Sequence, residues 1–248
     1  MSKPALGLWL VGASGRMGQA IRRVAEEAGD IRICGSVGAR GPDRSVEEHG
    51  YPVVVIDFSS PDGTFAACEF AAAHGYPLVS GTTGLCTPHE QRFAELSRFN
   101  AVLHANNMSA GVHVLAALVQ QAAASLSDWD TEIVELHHKL KKDSPSGTAL
   151  LLARAADAGH NVQGESHWRQ SREGIVGARP DGEVGIFGVR GGDVVGEHTV
   201  YLFGAGERME LTHRATDRTI FARGAVRAAR WMAGRAAGRY HMTDVLGL

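Results

Sequence analysis

The first hundred residues alternate strand-like and helix-like segments, and the first alternation hinges on glycines at positions 12, 15 and 18. Leu6 to Val11 is a short apolar run that breaks into Gly12-Ala13-Ser14-Gly15-Arg16-Met17-Gly18. Behind the turn, Met17, Ile21, Val24 and Ala25 recur at helical spacing, with Arg22, Arg23, Glu26 and Glu27 on the other side. Gly29 is placed to end that helix, and Ile31 to Val37 supplies a second strand. A strand, a glycine-rich turn, a helix and a strand at the start of a chain are the layout of a dinucleotide-binding unit. The spacing is GxxGxxG, with Ser14 where the common fingerprint has its second glycine. The cofactor-binding candidates here are Gly12, Ala13, Ser14, Gly15, Arg16 and Met17.

An acid that reads the ribose should lie about 20 residues beyond the loop, at the end of the second strand. Gly38 stands there, and Arg40 follows, with Arg16 and Arg44 nearby. A missing acid beside an arginine favours a 2′-phosphate, so NADPH is expected over NADH. Val53 to Phe58 then reads as a buried parallel strand. After it come a helix from Ser59-Ser60-Pro61 to His74, a strand Pro77 to Ser80 ending in Gly81-Thr82-Thr83-Gly84, and a helix to about Arg98. Thr87 and Glu90 have capping-box spacing at the start of that helix. Ala101 to Asn106 makes a fifth strand, closing on Asn106-Asn107-Met108. Such alternation predicts a Rossmann-like, doubly wound parallel sheet. Its ligands sit at the carboxyl ends of the strands, which adds Arg40, Phe58, Gly81–Thr83 and Asn106–Met108 to the cofactor crevice.

From Ser109 the pattern changes. A helix over Val112–Ala123 is followed by strand Glu132–His138, a helix from Thr148, and alternating strands at Val184–Val189, Glu197–Gly204 and Met209–Ala215. This predicts a second α/β domain with an open mixed sheet. A last helix around Phe221–Met232 carries Arg223, Arg227 and Arg230, which read as a solvated stripe. With a net charge of -2, the chain gives no reason to expect nucleic acid. No run reaches the ~18 apolar residues of a membrane helix. The N-terminus has too short an apolar run for a signal peptide. Cys34, Cys68 and Cys86 are odd in number, dispersed and without a CxxC, which suits a reducing cytoplasm. No histidine spacing with nearby carboxylates argues for a metal.

Of 12 histidines, only His137 and His138 come with a basic residue close behind and an anion-binding turn beyond it. In Glu132–Ala149, period-two alternation sends Glu135 and His137 to one face and Leu136 and His138 to the other. Ser146 is a natural N-cap, and Gly147 and Thr148 begin a helix whose amide end attracts a carboxylate. Hydride delivered to an electron-poor carbon leaves density that must be protonated, a role suited to histidine, with Lys141 to orient substrate and offset charge. A small anionic carboxylate substrate follows.

The segment Glu132-Ile133-x-Glu135-x-His137-x-x-x-Lys141-x-Asp143-x-Pro145-Ser146-Gly147-Thr148-Ala149 resembles the signature of bacterial dihydrodipicolinate (4-hydroxy-tetrahydrodipicolinate) reductases at every specified position. Gly12-x-x-Gly15-Arg16-Met17-Gly18, Asp57-Phe58-Ser59, Gly81-Thr82-Thr83-Gly84 and Gly192-Asp193-Val194-Val195-Gly196-Glu197-His198-Thr199 resemble the same family in the same order, as does the ending from His213 to Leu246. The resemblance implies a nucleotide-binding domain of residues 1–108 completed by 219–248, and a substrate and oligomerisation domain of 109–218 that builds a homotetramer. It implies NAD(P)H-dependent reduction of 4-hydroxy-tetrahydrodipicolinate in diaminopimelate and lysine synthesis. His137 and Lys141 match proton donors; His138, Lys141, Gly147 and Thr148 match substrate contacts, with Arg218 a further carboxylate contact. Gly81–Thr83 and Ala105–Met108 match nicotinamide contacts. Three positions depart from the family's habit: Gly38 replaces an acid, Met108 stands where phenylalanine is frequent, and Asn106 where a smaller residue or proline is. They leave room for a relative acting on another cyclic imino dicarboxylate. A nucleotide-binding regulator without turnover is the contrasting reading, and the His137/Lys141 pair speaks against it.

Overall fold

The computed structural model describes residues 5–38, 40–47 and 49–248. The chain divides into two compact units, one running to Ala110 and resumed by Thr219–Gly247, the other Gly111–Arg218 with Leu248.

The first unit opens with β1 (Leu6–Val11), buried along its whole length, and α1 (Arg16–Ala28), which Gly29 stops in the left-handed region at φ 72. β2 (Ile31–Gly38) and a two-residue β3 (Gly41–Pro42) follow, then β4 (Val53–Asp57) and α2 (Pro61–His74). β5 (Leu78–Ser80), α3 (Thr87–Leu96) and β6 (Ala101–His104) complete the run. The start of α3 corrects the sequence reading. Cys86, not Thr87, is the cap residue, and its amide donates to His89 Nδ1 at 3.2 Å. Glu90 does not reach back because it pairs with Arg239 and His104 instead.

The second unit begins its own fold with α4 (Ala110–Ser125), β7 (Asp130–His137) and α5 (Gly147–His160). β8 (Trp168–Arg169), β9 (Val184–Arg190), β10 (Gly196–Gly204) and β11 (Glu207–Ala215) follow. The sheet order is β11-β10-β7-β9-β8, parallel between β7 and β9 and antiparallel on the β10 side, hence mixed. Leu115 and Val119 of α4 and Leu152 and Ala156 of α5 pack on Ile133, Ile186 and Val200, filling one face of the sheet. The other face carries Val134, Leu136, Phe187, Val189, Tyr201 and Phe203, all half-buried or exposed. β7 alternates between these faces, so Glu135 and His137 are buried with Ile133 while Leu136 is not.

The chain then returns to the first unit with α6 (Thr219–Met232), β12 (Gly238–Tyr240) and α7 (Met242–Leu246). The seven strands of that unit lie in the order β12-β6-β5-β4-β1-β2-β3, all parallel except the β2–β3 pair. One face packs α1, α6 and α7 through Ile21, Val24, Ala225, Met232 and Val245; the other packs α2 and α3 through Phe70, Ala71 and Phe93. This is the doubly wound sheet that the alternation predicts. The arginine stripe of α6 is exposed, and two of its members are paired: Arg223 bonds Glu27, and Arg230 makes two bonds to Asp30.

Candidate functional site

In the first unit the strand ends gather the glycine turn. Gly12 has φ +81, and a Cβ there would overlap the Phe58 carbonyl, so only glycine lets the turn pass the end of β4. A Cβ on Gly18 would lie 2.5 Å from the Gly12 oxygen, so α1 starts directly under the turn. Among the described residues no side chain caps α1, which leaves its first amides to an outside acceptor, with Arg16 exposed beside them. The turn thus fits a pyrophosphate. Ala13 and Met17 are partly buried and pack on the core, and Ser14 is exposed. Among the described residues beyond its chain neighbours, Gly38 has nothing within 4 Å of a Cβ, and Arg40 is exposed.

The next two strand ends are tied together by Asp57, which is buried and accepts hydroxyl bonds from Ser59, Thr64, Ser80 and Thr82. The Ser59 amide donates to Thr82 Oγ1 at 3.0 Å, and His104 Nε2 lies 3.1 Å from the Thr82 carbonyl. Phe58 lies against Gly81, where a Cβ would strike its ring. The Thr82 side chain is therefore committed to this network, whereas Thr83 and Asn106 are exposed. Ala105 is partly buried against the core, and Asn107 Oδ1 accepts the Ser109 amide at 2.8 Å. The Met108 side chain is 1% exposed within the core, leaving its backbone as the part that could meet a ligand.

In the second unit, His137 is the last residue of β7, and the chain leaves the sheet there. The His138 amide donates to the Val194 carbonyl at 2.8 Å, and the Lys141 amide to the His138 carbonyl at 3.1 Å. The two histidines are therefore not neighbours on one ideal strand. The strand stops at His137, one residue short of the Glu132–His138 that the sequence predicts. Ser146 caps α5 by accepting the Ala149 amide at 3.1 Å, at the end of a turn whose Ser144–Pro145 bond is cis. Gly147 is exposed at the first helical position with Thr148 behind it.

Strand register builds a second cluster around His137. β10 sets His198 opposite Glu135, and β9 sets Arg190 opposite His137. Glu135 is bonded to His137 Nδ1 and doubly to Arg190, and it also accepts the Ser146 amide. Ser146 Oγ lies 3.1 Å from His198 Nε2. Burial alone would raise the Glu135 pKa, but bonds from His137 and Arg190 outweigh it and hold the group at about 2. Burial, helped by the charge of His137, pushes His198 down to about 3, so it is neutral. Lys141 Nζ pairs with both Asp143 oxygens at 2.8–2.9 Å, and that pairing pulls the Asp143 carboxyl below its ordinary value. Arg190 also donates to the Asp143 carbonyl, and Arg218 lies 3.2 Å from His138 Nε2.

Glu135, His137 and His198 are close enough to hold a cation, with ligand atoms within 4.8 Å. Arg190 already occupies both carboxylate oxygens, so a dication would have to displace a guanidinium. Sequence reasoning did not single out Glu135, Arg190 or His198 for this cluster. Glu135 had a usable signal, two residues before His137 on the same face. Arg190 had none and His198 only its place in the Gly192–Thr199 motif, because register alone brings both beside Glu135.

Two family models match the chain: dihydrodipicolinate reductase, N-terminus, over residues 6–108, and dihydrodipicolinate reductase, C-terminus, over residues 111–246. A 4-hydroxy-tetrahydrodipicolinate reductase of Methylocella silvestris is 44% identical, covering 97% of each chain. One of Zymomonas mobilis is 45% identical, covering 96% of each. Among solved structures, a dipicolinate-bound dihydrodipicolinate reductase from Paenisporosarcina superposes with a TM-score of 0.75 at 22% identity, covering 97% of this chain and 98% of that one. An engineered D-amino acid dehydrogenase bound to NADP+ shares the fold more loosely, with a TM-score of 0.51 at 15% identity over 98% and 94% of the two chains.

Proposed function

The chain belongs to the dihydrodipicolinate reductase family, and on that premise we propose that it reduces 4-hydroxy-tetrahydrodipicolinate to tetrahydrodipicolinate with NAD(P)H. One NAD(P)H and one proton enter, and NAD(P)+ and water leave. The observation that carries the reading is the group of His137, Lys141 and the amide end of α5 in one unit of a chain whose other unit holds a pyrophosphate turn.

The first unit holds the dinucleotide. Gly12–Met17 take the pyrophosphate, and Phe58, Gly81–Thr83 and Ala105–Met108 take the nicotinamide, Met108 through its backbone. When bound, the reduced nicotinamide supplies a hydride. The absence of an acid at Gly38, with Arg40 close by, favours NADPH, and NADH is the alternative donor. In the second unit, Gly147 and Thr148 at the α5 N-terminus receive one substrate carboxylate. His138 and Arg218, already in contact, receive the other. Lys141 orients the substrate and offsets developing negative charge, which requires it to share or leave Asp143. His137 is the proton donor, with Lys141 as second candidate.

The half-buried or exposed Val134, Leu136, Val189, Tyr201 and Phe203 on the far face of the sheet support self-association into a homotetramer, beside the part where Arg172 covers Phe187. Three free cysteines support a reducing, cytoplasmic setting, and among the described residues no helix is long and apolar enough to cross a membrane.

The assay follows NADPH and NADH oxidation with enzymatically generated 4-hydroxy-tetrahydrodipicolinate, using wild type and His137→Gln. The proposal expects substrate-dependent oxidation and a fall in kcat of roughly 10²–10⁴ in the variant, with dinucleotide affinity kept. Turnover within a few-fold of wild type would remove His137 from the acid role.

A further inference from the structure

Glu135 is a carboxylate that the proposed chemistry does not call for, yet it is 0% exposed and every one of its bonds is specific. Its Oε1 accepts the Ser146 amide at 3.1 Å and Arg190 at 2.8 Å. Its Oε2 accepts Arg190 at 2.9 Å and meets His137 Nδ1. The bidentate guanidinium keeps the carboxylate planar, charged and fixed in direction. An ionised carboxylate has no proton to give, so its contact with His137 requires the proton to sit on Nδ1. His137 Nε2 faces the other way. Among the described residues no hydrogen bond engages it, and a Cβ on Gly196 would come within 3.0 Å of it. Glycine at 196 thus leaves that edge of the ring clear. The adjacent His198 ring stands edge-on, 5.1 Å away, and is bonded to Ser146 rather than to His137. The charged groups beside the imidazole are Glu135 on its own strand and Arg190 on β9; Lys141, which holds Asp143, acts on the adjacent His198.

We propose that Glu135 is a positioning residue: clamped by Arg190 and the Ser146 amide, it holds the Nδ1 proton of His137 and makes Nε2 the atom that hands a proton to the substrate. The imidazolium gives up its Nε2 proton as hydride arrives and keeps its Nδ1 proton, which donates to the Glu135 carboxylate throughout. Solvent later returns the lost proton to Nε2. Arg190 acts at one further remove, by keeping Glu135 ionised and aimed. The inference rests on the assignment of His137 as the acid.

The test combines nitrogen NMR of ¹⁵N-histidine-labelled wild type with kinetics of Glu135→Gln, Arg190→Gln, Arg190→Lys and Gly196→Ala. Neutral His137 in the wild type should carry its proton on Nδ1; finding it on Nε2 overturns the proposal whether or not any variant folds. Glu135→Gln should lower kcat by about 100-fold or more, with the KM for NADPH within about two-fold, and should move the tautomer. Arg190→Lys should keep more activity than Arg190→Gln. Gly196→Ala should lower kcat without moving the tautomer, because a ring pinned at Nδ1 cannot yield to the methyl. A folded Glu135→Gln enzyme with kcat within three-fold of wild type would refute the clamp. An inactive wild type with the Nδ1 tautomer would instead count against the acid assignment and leave the clamp standing.

Discussion

Replacing Ser146 by alanine removes one oxygen that serves two elements of the second unit. That oxygen caps the Ala149 amide and lies 3.1 Å from His198 Nε2, in a residue only 2% exposed. Loss of the cap costs about 1 kcal/mol. Loss of the bond to His198 strands a ring nitrogen in a residue 4% exposed, whose buried Nδ1 has no partner among the described residues. Stranding a buried polar atom costs about 1–3 kcal/mol, so the total is about 2–4 kcal/mol. The Ser146 amide is untouched and continues to donate to Glu135. Urea unfolding of wild type, Ser146→Ala, His198→Leu and the double variant measures both parts. In the His198→Leu background no imidazole remains to be stranded, and Ser146→Ala should cost only about 1 kcal/mol, the cap alone. A single-variant cost below about 0.5 kcal/mol, or an equal cost in both backgrounds, would refute the two-bond reasoning.

Acid should weaken the fold through His198. Its folded pKa is about 3 against an ordinary 6.5, so folded and unfolded chains are equally neutral above pH 6.5, and below it only the unfolded chain gains the proton. Stability should fall by about 1.4 kcal/mol per pH unit from 6.5 toward 3 on this account, and urea titrations of His198→Asn should lack that component. Glu135 adds a lower window: its stabilisation is complete above 4.5 and is lost as pH falls toward 2. Gly18→Ala should destabilise the first unit and abolish NADPH binding, since the new methyl meets backbone at 2.5 Å, whereas Gly38→Ala should bind normally in calorimetry. Arg40→Ala should raise the KM for NADPH about ten-fold, the worth of one charge-assisted bond, and leave NADH nearly unchanged; equal effects on both cofactors would refute the 2′-phosphate assignment.

What was legible in the sequence was local. The Gly12–Gly18 turn, the Gly29 stop and the Ser146 cap each rest on a few adjacent residues with one stereochemical solution. The alternation through β6 likewise implied parallel strands, because crossover connections allow little else. The partners of His137 were not legible for the opposite reason. Arg190 lies 55 residues from Glu135 in the chain, and His198 lies 52 from Ser146, so only the pairing of β7 with β9 and β10 brings them together. A shift of one residue in either register would turn Arg190 or His198 to the other face of the sheet. The α3 cap was misplaced by one residue for a subtler reason. Thr87 and Glu90 carry the right local signal, but Glu90 finds Arg239 and His104, contacts that exist only in the folded unit. The two-residue strands β3 and β8 have no periodicity to detect.

The most direct test is isotopic. NADPH carrying deuterium at its transferable ring position is incubated with the enzyme and 4-hydroxy-tetrahydrodipicolinate, and the product is examined by mass spectrometry. Tetrahydrodipicolinate one mass unit heavier, with the deuterium on a ring carbon, is the expected product. Unlabelled product, or no oxidation of either NADPH or NADH, would contradict hydride transfer to this substrate.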